Sequence, residues 1–90
     1  MQLRQILKEL GKTPNGKAKI LDVLRRRRNK LGDYNFWFLE YVYFERLTRE
    51  NICKKLVLSE SHYHNKLNQA LERLDVLIDD ITHREMVDLV

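Results

Sequence analysis

The sequence predicts an all-α fold, a small bundle of four to five helices, on three observations. Apolar residues recur at spacings of three and four, as in Leu3, Ile6, Leu7 and Leu10 or in Tyr63, Leu67, Ala70, Leu71 and Leu74. Residues that start helices (Thr13, Asp33, Thr48, Ser59) or stop them (Gly11, Gly32) fall between the periodic segments. The one stretch rich in aromatic and β-branched residues, Tyr34 to Leu47, has no second strand-like segment to pair with, so it too is read as a helix. Ninety residues suit one domain, 1–90, too small for an elaborate enzyme cleft with a cofactor fold.

Residues 1–32 form the basic N-terminal helices. Leu3 to Leu10 makes about two turns, too short to stand alone, so this helix must dock on the rest of the molecule or on a second copy. Thr13-Pro14 suits a helix start, although Asn15-Gly16 equally suits a turn that delays it to about Lys17. From there Ala18, Leu21 and Leu24, with Ile20 and Leu31, supply an inner face as far as Gly32. Arg25 to Arg28 point nearly all round that helix. Arg26 and Arg27 are candidate phosphate contacts, a solvated basic face being the plainer alternative. Residues 33–47, capped by Asp33, form the aromatic core helix with seven of the eight aromatic residues, of which Trp37 or Tyr41 is a candidate for a partner interface.

Residues 48–74 read as a helix-turn-helix. Thr48 caps a short helix with Ile52, Cys53 and Leu56 on one face, Val57-Leu58 make the turn, and Ser59 caps the next helix. At about 100° per residue, Ser61, His64, Asn65 and Asn68 fall opposite Tyr63 and Leu67, and none is acidic. With Glu60, which suits a cytosine amino group, they are the candidate base readers; Arg49, Ser59 and Lys66 are candidate phosphate contacts. Periodicity alone fits an ordinary hairpin with a solvated polar face equally well. Residues 75–90 continue the helical rhythm as an acidic extension of that helix, either unbroken or restarted at Thr82, with an apolar face (Leu77, Ile78, Ile81) suited to docking or dimerising.

The runs I-C-K-K-L-V-L-S and Y-H-N-K-L-N-Q-A-L-E-R-L resemble region 4 of bacterial sigma factors, with Ile52, Leu56, Leu58, Ser59, Leu67, Ala70, Leu71 and Leu74 on its pattern. The lead-in F-L-E-Y-V-Y-F-E-R-L-T, together with S-E-S-H-Y-H-N-K-L, is more similar still to the sigma-like phage regulators of the ArpU and RinA type. The resemblance implies a sequence-specific DNA-binding transcription regulator, phage-encoded or prophage-derived, that reads the major groove of double-stranded DNA with the helix starting at Ser59. RNA polymerase is a further partner it implies. Two residues depart from the pattern. Cys53 stands where a small Ala is usual, and Val57 where a turn Gly is usual, so the turn either has another geometry or is strained.

Charge is uneven along the chain. Up to Gly32, ten Lys or Arg stand against Glu9 and Asp22; from Asp75 onward, Arg84 stands against Asp75, Asp79, Asp80, Glu85 and Asp88. A basic first third suits nucleic acid, unless the two ends attract each other within the fold. An enzyme is not expected, since no nucleophile and base, carboxylate pair or glycine-rich phosphate loop stands out. The single cysteine rules out an internal disulfide and fits no zinc spacing, and no cofactor, metal or small-molecule substrate is expected. The lone cysteine suits a reducing cytoplasm, which the phage resemblance makes that of a bacterial host, and no apolar run approaches a membrane span. A homodimer through the first helix and the acidic extension is expected from the symmetry of DNA half-sites. The alternative function is a protein-interaction module that binds RNA polymerase or another regulator without touching DNA.

Overall fold

The computed structural model describes residues 1–90 and is all-helical, with seven α-helices around one core that buries no polar residue. Helix α1 (Leu3–Leu10) turns Leu3, Ile6, Leu7 and Leu10 inward, against α2 (Pro14–Arg26), α6 (Tyr63–Leu77) and α7 (Asp80–Asp88) of the same chain. Docking is therefore internal. The apolar stripe of α1, expected as a dimer contact, is covered within the chain and is not free to make one.

Helix α2 begins at Pro14 rather than Lys17. The Thr13 hydroxyl accepts from the Gly16 amide at 3.0 Å, and proline at the first position has no amide to leave unpaired. Gly16 lies so near the end of α1 that an added Cβ would come within 2.0 Å of the Leu10 carbonyl oxygen. The inner face of α2 is Ile20, Val23 and Leu24, whereas Ala18 is exposed and Leu21 half-buried, a different phase from the expected one.

The long second helix read through Leu31 is interrupted at Arg27, whose φ of −109° and ψ of 4° leave the helical region; α3 (Arg28–Leu31) is a separate single turn. Gly32, at φ 90°, turns the chain into α4 (Asp33–Leu39) through a conformation only glycine adopts readily. Asp33 does not cap α4. It sits inside the first turn, and its carboxylate accepts from Arg28 Nε at 2.8 Å. The aromatic helix is also not one α-helix: it widens to a π-helical turn over Glu40–Phe44 and stops at Arg46, which has a left-handed φ of 56°. Phe36, Phe38, Leu39 and Tyr43 are buried and Phe44 half-buried, as a core element requires.

Helix α5 (Arg49–Leu56) is capped by the Thr48 hydroxyl, which accepts from the Asn51 amide at 3.2 Å. A turn and one 3₁₀ turn (Glu60–His62) lead to α6, whose buried stripe is Tyr63, Leu67, Ala70, Leu71 and Leu74. The Tyr63 and Phe38 rings meet at 5.4 Å and fasten α6 to α4. Helix α6 is not extended by the acidic segment. Ile78 is in an extended conformation, and the Asp79 carboxylate accepts from the Thr82 amide at 2.7 Å to start α7, earlier than Thr82. Helix α7 folds back on α1 and α2, burying Met86, and Lys19 pairs with Glu85 at 3.0 Å. The opposite charges of the two ends thus meet within the fold. No helix is long and apolar enough to cross a membrane.

Candidate nucleic-acid interface

The interface is built on α5, the turn and α6. Val57 takes the left-handed conformation, φ 52° and ψ 53°, that a turn glycine would adopt freely, and the amides of Val57 and Leu58 both donate to the Cys53 carbonyl oxygen. The turn therefore keeps the glycine geometry and carries strain. With 94% of its surface exposed, the Val57 side chain gains no packing to offset it. Cys53 is buried beneath the turn, and burial pushes its thiol pKa up, so it serves as a small neutral apolar group.

The candidate reading helix does not start at Ser59 as an α-helix. A tightened 3₁₀ turn comes first, and the Ser59 hydroxyl, instead of capping backbone amides, lies 2.6 Å from His62 Nδ1 and 3.1 Å from the Ser61 hydroxyl. Ser59 is thus engaged locally. Beyond it Ser61, His64, Asn65 and Asn68 are all exposed, opposite buried Tyr63 and Leu67, and the His64 ring rests edge-on against Tyr63 at 5.5 Å.

Three of the remaining candidates change role. Glu60 and Arg49 pair with each other at 3.4 Å, joining the start of α5 to the 3₁₀ turn, so neither is a free reader or a free cation. The pair leaves the entrance to α6 nearly neutral. Arg27 is structural: its guanidinium donates to the carbonyl oxygens of Leu77 at 3.1 Å and Val23 at 3.2 Å and to the Thr82 hydroxyl at 3.0 Å, tying α2 to the α6–α7 junction. Arg26 is exposed but paired with Asp22 at 2.9 Å, which holds it firmly in the charged form. Within the arginine run only Arg25 lacks a partner, since Arg28 pairs with Asp33 and lies 4.5 Å from the centre of the Phe36 ring. Lys66 remains an exposed, unpaired cation on the flank of α6.

Two features lay outside the sequence reading. Gln69 is exposed one turn beyond Asn65 and extends the polar stripe; helical spacing alone places it there. Arg4 of α1 donates to Asn68 Oδ1. That bond occupies one lone pair of Asn68 Oδ1 and leaves its amide N–H groups free, whereas Asn65 keeps its acceptor and donor fully open to an adenine edge.

The fold and the site define an all-helical domain with a two-helix hairpin that exposes a polar, acid-poor helix face. The chain belongs to the DUF1492 family, described as a protein of unknown function, whose model matches residues 12–75. That span runs from the start of α2 almost to the end of α6 and leaves out α1 and α7. No curated protein and no solved structure matches the chain.

Proposed function

We propose that this protein is a sequence-specific DNA-binding transcription regulator that lays the first half of α6 in the major groove. One observation carries the reading: a hairpin with the turn geometry of a helix-turn-helix presents Ser61, His64, Asn65, Asn68 and Gln69 to solvent, and Glu60, the acid at the entrance to that helix, is paired with Arg49. An α-helix fits a groove about 12 Å wide, and neutral amides and hydroxyls there meet base edges without repelling phosphates. The resemblance to sigma region 4 and to the ArpU and RinA regulators points the same way, toward a phage or prophage gene acting in a bacterial cytoplasm. The other reading, docking on RNA polymerase or another regulator without DNA, draws on Trp37 and Tyr34 of α4, which stay 42% and 39% exposed.

Selecting bound sites from a random duplex pool, then titrating Asn65→Ala on selected and scrambled duplexes, separates the readings. On the selected site the variant should lose about 1 to 3 kcal/mol, with little change on scrambled DNA. Equal loss on both, or on neither, removes α6 as the reader, and absence of duplex binding at any ionic strength leaves the protein-docking reading.

A further inference from the structure

Helix α1 and the end of the aromatic helix carry three cations, Arg4, Lys8 and Arg46, that begin beside the polar face of α6. Arg4 and Lys8 are one turn apart on the same flank of α1, and both are exposed. Arg4 touches Asn68 on one side and faces the Tyr43 hydroxyl on the other. Lys8 and Arg46 then line one shallow groove with Val42, Tyr43 and Leu47. Neither Lys8 nor Arg46 has an ion-pair partner. The acid of α1, Glu9, lies on the other flank, where Gln5 and Lys12 each bond it at 3.1 Å.

We infer that Arg4, Lys8 and Arg46 form a phosphate-holding strip, which makes α1 a second DNA-contacting element beside α6. The inference rests on the DNA-reading function proposed above. Its direction is set by charge. Glu72 and Asp75 line the groove beyond Asn68 on the α7 side and repel a phosphate backbone there, so the strand leaves Asn68 toward Tyr43 and Arg46. Arg4 has two tasks in this arrangement: it fixes the Asn68 amide and adds positive charge where the groove-reading face ends. Contacts of this kind set the register of the protein on the duplex without reading sequence.

The test is the salt dependence of duplex binding for Lys8→Gln/Arg46→Gln, beside a control, Arg25→Gln/Arg84→Gln, that removes two exposed cations carried by α2 and α7 instead. Between about 50 and 200 mM salt, the slope of log K against log salt should become shallower by roughly 1.8 for the strip variant, about 0.9 per lost contact, and stay at the parent value for the control. The charge-keeping Lys8→Arg/Arg46→Lys should retain the parent slope, which separates lost charge from a disturbed fold. An unchanged slope for the strip variant, with Asn65→Ala still weakening only the selected site, overturns the strip and leaves the reading helix standing. A parent that binds no duplex at any salt overturns both.

Discussion

Replacing Gly16 by Ala sets two effects of opposite sign against each other. Helix propensity alone favours alanine by about 0.8 to 1.0 kcal/mol in a helix interior, and less in the first turn where Gly16 sits. Packing opposes it. The new Cβ would lie 2.0 Å from the Leu10 carbonyl oxygen and 2.6 Å from the Leu10 carbonyl carbon, backbone atoms that cannot swing aside. Restoring an ordinary separation of about 3.5 Å means moving the end of α1 by roughly 1.5 Å. That loosens the whole inner stripe of α1, Leu3, Ile6, Leu7 and Leu10, each buried in the core. Overpacking of this kind costs about 1 to 3 kcal/mol. The steric term wins, and a net loss of about 1 to 2 kcal/mol should lower the melting temperature by roughly 10 °C for a domain of this size. Thermal unfolding followed by circular dichroism reads the result. A melting temperature equal to or above that of the parent would mean that α1 does not pack against the start of α2 at this distance.

Val57→Gly should raise stability by about 0.5 to 1 kcal/mol, because relief of the left-handed strain exceeds the extra freedom glycine gives the unfolded chain; a lower urea midpoint would show that the valine side chain makes a stabilising contact. Arg27→Ala should cost about 2 kcal/mol through the loss of one hydrogen bond to the end of α6, one to α7 and one back to Val23 of α2, and an unchanged midpoint would mean that Met86 alone secures α7. The Thr82 amide, with smaller help from Arg27, holds the Asp79 carboxyl below its ordinary pKa. Its contribution is therefore complete above the unfolded-state pKa and is lost as pH falls through the lower folded value, so Asp79→Asn should flatten the acid limb of a stability profile below about pH 4. A parallel acid limb in that variant would refute the assignment.

The stripe of α6 was legible because it depends on local spacing: Tyr63, Leu67, Ala70, Leu71 and Leu74 are three or four residues apart, and all are buried. The Thr48 cap and the tension at Val57 were legible for the same reason. What stayed hidden depends on partners distant in sequence. Arg27 follows Val23 and Leu24 in the inward phase of α2, and only the position of the α6–α7 junction reveals that its guanidinium ends on the Leu77 carbonyl oxygen and the Thr82 hydroxyl there. Asn68 looked like a free reader because Arg4 is 64 residues away in the chain. Glu60 and Arg49 each suited DNA alone, and only the folded turn brings them to 3.4 Å. The break before α7 was blurred by apolar residues that keep a helical rhythm through Leu77 and Ile78, although Asp79 three residues before Thr82 was a cap signal.

Helix α5 lies between the two non-glycine residues with left-handed backbones, Arg46 and Val57, and among its own side chains only Ile52 and Cys53 are buried. When α5 opens locally, both residues relax, each returning about 1 to 2 kcal/mol, while few apolar contacts are lost. The amide protons of α5 should thus exchange with solvent through a shallow local opening, while those in the middle of α6 wait for global unfolding. The hairpin then pairs a rigid helix with a breathing one, and any partner that closes over both loses part of its affinity to the entropy cost of suppressing that motion.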